Sequence, residues 1–281
     1  MSERPARRPR PVHAAQVVRT ERLTPHMQRV VLGGEGLAAF SADAFTDHYV
    51  KLLFPAPGAA YPEPFDLQRI REELPREQWP VTRTYTVRAW DPAHRELTLD
   101  FVVHGDEGIA GPWALRARPG ETVRFSGPGG AYAPDATADW HLLAGDESAL
   151  PAIGRALEAL PQGAAAHAFV EVSGPEEEQK IDSGVDVVWL HRGDRPVGEA
   201  LVRAVRALEF PAGRMHAFVH GEAGFVKELR RLLRVELGVP REDLSVSGYW
   251  RLGHDEDGWQ SSKREWNARI EAEQEGSAPA A

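Results

Sequence analysis

Arg83-Thr84-Tyr85-Thr86-Val87-Arg88 is the stretch from which the fold is read. Tyr85 and Val87 alternate with Thr84, Thr86 and Arg88, and aromatic and β-branched residues dominate, so the segment is predicted to be a β-strand. Its polar face is unusual: two guanidiniums flank a phenol and a threonine hydroxyl. A guanidinium is a planar fork that holds a phosphate through two parallel hydrogen bonds. A tyrosine ring offers a stacking surface, and a threonine hydroxyl one donor and two acceptors. The set suits a ligand that is flat at one end and phosphorylated at the other. An edge strand with its arginines in water accounts for the residue types equally well, so the neighbouring segments decide.

Upstream, Ala15–Thr20, Met27–Leu32 and Tyr49–Pro55 read as strands. Lys51 lies inside the last of these, and an edge or rim position is the simpler reading of it than a ligand contact. Pro55–Trp79 is a long insertion rich in Pro, Glu and Arg, hence functional or disordered. Downstream come the turn Asp91–Arg95, the alternating strand Glu96–His104 and a last strand, Glu121–Gly127. About six short strands with one short helix predict a small closed antiparallel barrel.

His104–Leu115 carries Gly105, Gly108 and Gly111 ahead of Pro112. Glycines let backbone approach a ligand, and Pro suits the first turn of a helix, whose free amides attract anions. A plain turn before a helix has the same composition. Placed one strand after Arg83–Arg88, the segment completes a pair: one element for a flat ring such as isoalloxazine, the other for a pyrophosphate.

After Gly127-Pro128-Gly129-Gly130 the texture changes. Strands at Trp140–Gly145, Ala166–Val172, Asp186–His191, Met215–Glu222 and Leu244–Trp250 alternate with helices at 148–160, 197–208 and 223–237. That alternation predicts a parallel sheet with helices on both faces, binding ligands beyond its strand C-termini. No G-x-G-x-x-G follows the first of these strands, so the usual dinucleotide fingerprint is missing. Ser148 reads as a helix cap. His220-Gly221-Glu222-Ala223-Gly224 is a strand-to-helix turn where a nicotinamide nucleotide could rest, or simply a turn that needs glycine. A helix at 259–270 carries Lys263, Arg264 and Arg269, and Arg251 directly follows the end of the last strand.

The chain has 281 residues, which favours two domains over one. Residues 1–13 are expected to be a disordered basic arm, 14–137 the barrel and 138–281 the α/β domain with its C-terminal helix. The net charge of −9 disfavours nucleic acid and anionic membranes as partners. The absence of cysteine excludes disulfides, thiolate metal sites and iron–sulfur clusters. The eleven histidines show no metal-ligand spacing, so no bound metal is expected. Nothing approaches a membrane span or a secretory signal, and a cytoplasmic location is expected.

The motifs Arg83–Arg88, Asp100-Phe101-Val102-Val103-His104-Gly105, Gly111-Pro112-Trp113-Ala114, Gly145–Ile153 and Gly248-Tyr249-Trp250-Arg251-Leu252-Gly253 together resemble the siderophore-interacting proteins, the flavin-dependent ferric-siderophore reductases. The resemblance runs along nearly the whole chain, with its motifs in order. It implies a ferredoxin-reductase-like architecture, an FAD-binding barrel followed by a nucleotide-binding α/β domain, with FAD held noncovalently. It implies that Arg83, Thr84, Tyr85 and Thr86 take the flavin and its phosphates, Thr86 tuning the ring. His104, Gly111 and Trp113 would line the pyrophosphate and adenine side, with Asp100, Val102, Gly108 and Ala110 in the same cofactor-binding set. Asp146 and Ser148 would face the flavin. A cationic triad for the acidic siderophore falls on Lys51, Arg251 and Lys263.

The implied activity is reduction of Fe(III) in a siderophore to Fe(II), with electrons passing from NAD(P)H through FAD. Ferredoxin is the alternative donor. Glu176-Glu177-Glu178, after the second strand of the α/β domain, would repel a 2′-phosphate and so favour NADH. Two rival readings stay open: a general NAD(P)H–flavin reductase with another acceptor, and a non-enzymatic siderophore carrier.

Overall fold

The computed structural model describes residues 10–275. Its first half is a closed antiparallel barrel of six strands: β1 (Val12–Thr24), β2 (Met27–Gly33), β3 (Tyr49–Phe54), β4 (Val81–Asp91), β5 (Glu96–Val102) and β6 (Thr122–Gly129). Around the barrel the order is β1-β2-β5-β4-β3-β6. Alternation sets the inside: Val30, Leu32, Leu52, Val87, Leu97, Leu99, Phe101 and Phe125 are all within 2 % of complete burial. Each such side chain contributes roughly 1.5–3 kcal/mol relative to exposure.

β1 begins earlier than expected. Val12 pairs with Ser126 and His13 with Phe125, so the last two residues of the expected arm are strand. His13 is there because its ring stacks on Phe125 and meets Phe40 edge-on, which closes one end of the barrel. The expected arm's first nine residues lie outside the described residues. The insertion before β4 holds a short helix, α1 (Leu67–Glu73), whose first amides are capped by the Asp66 carboxylate. A second helix, α2 (Ala110–Arg116), follows the glycine-rich turn, where Gly105 and Gly108 have φ of 56° and 78°.

The second half is a parallel sheet of β7 (Trp140–Asp146), β8 (Ala166–Val172), β9 (Val187–His191), β10 (Met215–Glu222) and β11 (Leu244–Trp250), in the order β11-β10-β7-β8-β9. Its inner strands β7, β8 and β10 are mostly buried on both faces, as a parallel sheet requires, whereas the edge strands β9 and β11 are largely half-buried. Leu142 and Ala144 of β7 pack towards α4 (Glu199–Arg206) and α5 (Ala223–Arg231). Leu143 packs towards α3 (Leu150–Glu158) on the other face. The final helix, α6 (Glu256–Glu275), is longer than the expected 259–270. Trp259, Trp266 and Ile270 pin it beside Ala223 at the start of α5.

Side-chain contacts staple the two halves together. Arg88 of β4 makes a two-pronged contact with Glu158 of α3, at 2.8 and 2.6 Å, and Arg155 of α3 donates to the carbonyls of Val87 and Ala42. On the other side Glu177, 3 % exposed, accepts from Thr24 and from the His26 amide.

Candidate active site

The barrel and the sheet enclose a cavity of about 640 Å³ between β3, β4 and β5 on one side and the C-terminal ends of β7, β10 and β11 on the other. It lies where parallel sheets bind ligands, beyond their carboxyl ends. β4 supplies its floor through Thr84, Tyr85 and Thr86. The Tyr85 ring lies 4.1 Å from that of Phe101, so it is braced from behind by the barrel core. Burial holds the Tyr85 phenol above the ordinary tyrosine range. Thr86 is 8 % exposed, and Tyr249 of β11 lines the same cavity.

The three expected cations converge on this cavity: Lys51 from β3, Arg251 after β11 and Lys263 from α6 all line it. Lys51 is not an edge residue. β3 is flanked by β4 and β6 in a closed barrel, and the lysine projects from the wall that faces the sheet. Lys263 donates to the Ser247 hydroxyl at 3.0 Å. Burial, and then the nearby Lys51, depress the Lys263 pKa. Among the described residues none of the three is ion-paired with a carboxylate.

Asp100, Val102, His104 and Ser148 also line the cavity. Asp100 is fixed by a two-pronged contact from Arg29, at 2.7 and 2.8 Å. Burial lowers the pKa of His104, so its ring is neutral near pH 7.

The remaining residues of the expected set stand outside this cavity's lining. Arg83 does not line the cavity: its guanidinium faces Glu256 and Asp257 at the start of α6, at 3.6 and 3.1 Å. Asp146 is fully buried and does not face the cavity; it accepts from the Ser148 amide and hydroxyl, the Glu222 amide and the Trp250 indole, which locks three strand ends together. Trp113 packs edge-on against Phe54 and obliquely on Phe101, with centroids 5.6 Å away in each case, so its bulk serves the barrel core. Gly108, Ala110 and Gly111 likewise stand away from the cavity wall, Ala110 being buried in the barrel core. The acidic run is not a uniform screen either: Glu177 turns inward to Thr24 and His26, Glu178 pairs with His191, and Glu176 stands exposed.

Sequence reasoning passed over several wall residues. Ser245, Ser247 and Tyr249 sit at a spacing of two on β11, which puts them on one face, and that alternation was readable. His220 also lines the cavity. It is 4 % exposed, bonded to Ser245 Oγ at 3.0 Å, and its Nδ1 has no partner among the described residues. Burial pushes its pKa down to about 3, with Lys263 adding to the effect. The turn after it is forced by packing. Gly221 has φ 139°, and a Cβ there would stand 2.7 Å from the Asp146 carboxyl and 2.6 Å from the Phe225 ring.

The comparisons with known proteins follow this division of the chain. Residues 16–132 match the profile described as "Siderophore-interacting FAD-binding domain", and residues 138–253 the profile described as "Siderophore-interacting protein". The chain is 34 % identical to the ferric vibriobactin reductase ViuB of Vibrio cholerae, over 88 % of this chain and 92 % of that protein. This chain belongs to the siderophore-interacting protein family. Within the family it is also 46 % identical to an uncharacterized protein of Mycobacterium tuberculosis, over 91 % of this chain and 96 % of the other. To the NADPH-dependent ferric-chelate reductase of Escherichia coli it is 32 % identical, over 83 % and 91 %. The crystal structure of the siderophore-interacting protein SipS from Aeromonas hydrophila superposes with a TM-score of 0.78 at 30 % identity, covering 92 % of this chain and 99 % of SipS. A more distant likeness, the ferredoxin reductase of carbazole 1,9a-dioxygenase, has a TM-score of 0.63 at 17 % identity over 87 % of this chain and 71 % of that one. It shows the shared ferredoxin-reductase-like fold.

Proposed function

We propose that this protein is an FAD-dependent ferric-siderophore reductase fed by a reduced pyridine nucleotide. The observation that carries the reading is the cavity, in which a braced aromatic and hydroxyl floor, Tyr85 and Thr86, meets three cations that have no carboxylate partner among the described residues. The floor suits a flat heteroaromatic ring, and the cations suit a polyanion beside it. The relatives named as ferric vibriobactin reductase and NADPH-dependent ferric-chelate reductase support the same assignment.

In this reading Tyr85 presents its ring to the isoalloxazine, and Thr86 presents a hydroxyl to the ring's edge. Asp100, Val102 and His104 border the same ligand, and Ser148 borders the nucleotide side at the end of β7. When bound, FAD supplies the redox conversion, taking the two electrons of a hydride and delivering them singly to two Fe(III) ions. Lys51, Arg251 and Lys263 attract and orient the anionic ferric complex. The weaker hold of the siderophore on Fe(II) then releases the metal. Electron transfer to iron needs proximity rather than an acid or base, which agrees with a wall whose His220 stays neutral. Of the three glutamates that argue for NADH, Glu177 is committed to the barrel, which leaves Glu176 and Glu178 to carry that preference.

The deciding experiment is an anaerobic absorbance titration of the purified protein. Flavin bands that bleach with NADH or NADPH and return on adding a ferric siderophore, with Fe(II) captured by a chromogenic chelator, are expected. A protein that cannot be reconstituted with FAD would overturn the reading. Bands that respond only to reduced ferredoxin would reassign the donor.

A further inference from the structure

Arg83 belongs to the strand read as the phosphate holder, yet its guanidinium is engaged elsewhere. Its Nη1 stands 3.1 Å from Asp257 Oδ2 and its Nε 3.6 Å from Glu256 Oε2. Glu256 Oε1 accepts from the Thr84 amide at 2.9 Å. Glu256 lines the cavity, whereas Arg83, its side chain 13 % exposed, does not. A carboxylate thus presents itself at the cavity wall on two donors, a guanidinium and a neighbouring backbone amide, which are the donors a phosphate oxygen pair takes.

Acids at a helix N-terminus are favoured by the helix dipole and need no partner. Here both acids of the first turn of α6 turn onto one guanidinium of the barrel, more than 170 residues away in sequence. The position costs Glu256 solvation: burial raises its pKa even with Arg83 and the Thr84 amide opposing. Such an anion gives up its place readily to a competitor that brings more charge. The rest of α6 is anchored independently. Trp259 is fully buried, its indole donates to the Gly248 carbonyl at 3.4 Å, and Trp266 and Ile270 pack with it. Release of Arg83 therefore asks only the residues ahead of Trp259 to move.

We propose that Glu256 and Asp257 are an internal competitor for the phosphates of the cofactor, holding Arg83 until FAD displaces them. The proposal rests on the FAD reading of the cavity. A protein without the two acids would then bind FAD more tightly, and the first turn of α6 would set how readily the cofactor is retained.

The test is a titration of flavin-free protein with FAD, followed by quenching of flavin fluorescence, for wild type, Glu256→Gln/Asp257→Asn, Arg83→Ala and the triple variant. The double variant is expected to bind FAD about tenfold more tightly, the worth of one charge-assisted contact. Arg83→Ala is expected to weaken binding, and the two acid substitutions to change nothing further in that background. Glu256→Gln alone retains the acceptor for the Thr84 amide and is expected to shift affinity in the same direction by a smaller factor. Unchanged or weaker binding in both acid variants would overturn the proposal and assign the acids to holding α6 on the barrel. Absence of FAD binding by wild type would instead overturn the proposed function.

Discussion

The Trp250 indole donates to the Asp146 carboxylate across 2.8 Å, joining the end of β11 to the end of β7 over the intervening β10. The same carboxylate takes the Glu222 amide of β10 at 2.9 Å and the Ser148 amide at 3.0 Å. Every partner is a donor, so an amide cannot replace the acid. Asp146→Asn is expected to destabilise the protein by about 2–4 kcal/mol, since it removes acceptors and leaves buried donors unpaired. Thermal unfolding checks this; a melting temperature within a degree of wild type would remove the locking role.

His220 gives the stability a pH dependence of known sign. Its pKa falls from 6.5 to about 3 on folding because the ring is buried. Between those values the unfolded chain binds a proton that the native state refuses, so this contribution is full above pH 6.5 and is lost as pH falls towards 3. Asp146 works in the opposite sense. Its pKa is raised from 3.8 to about 6 by burial, so its contribution is present below pH 4 and lost as pH rises through 6. His220→Phe is expected to flatten the acid limb of stability against pH, leaving the opposite slope of Asp146. Parallel curves for the two proteins would show that His220 titrates as it does in the unfolded chain.

The three cations predict a salt-sensitive substrate step. Lys51→Ala, Arg251→Ala and Lys263→Ala are each expected to weaken binding of an anionic ferric siderophore about tenfold at low ionic strength, roughly 1.4 kcal/mol. Binding by wild type is expected to fall with added salt, and less steeply in each variant. Substrate titrations at two salt concentrations decide it. Equal affinity in all four proteins would move the siderophore to another surface.

Arg155 bridges the halves through the carbonyls of Val87 and Ala42. Arg155→Met keeps much of the stem but leaves two carbonyls without their donor, an expected loss of about 1–3 kcal/mol. Because the contact is between the halves, limited proteolysis is expected to cut the 130–139 connection faster in the variant. An unchanged cleavage rate would place the stability of the junction in the Arg88–Glu158 and Glu177 contacts.

The sequence was most informative where one local rule acted alone. Alternation in β4 and β5 and the change to strand–helix alternation after Gly130 foretold the barrel and the parallel sheet. The convergence of Lys51, Arg251 and Lys263 came from the resemblance, since three cations scattered over 212 positions carry no local pattern. What stayed hidden depended on distant partners. Nothing near Asp146 announces that Trp250 will claim it, and nothing near Arg83 announces Glu256 and Asp257. The motif around Trp113 gave no sign that its ring would pack on Phe54 of β3 and Phe101 of β5. Glutamates 176–178 looked alike as a run, and only the barrel's Thr24 and His26 single out the middle one.

The arrangement of α6 on the finished sheet also bears on how the protein is made. A chain folds from its N-terminal side as it is synthesised, so the ribosome delivers the floor strand β4 about 170 residues before it delivers Glu256 and Lys263. The barrel can close while the acids that hold Arg83, and the lysine proposed to meet the substrate, are still unmade. On the proposed function, this timing would let a nascent chain take up its cofactor before it is competent to receive iron.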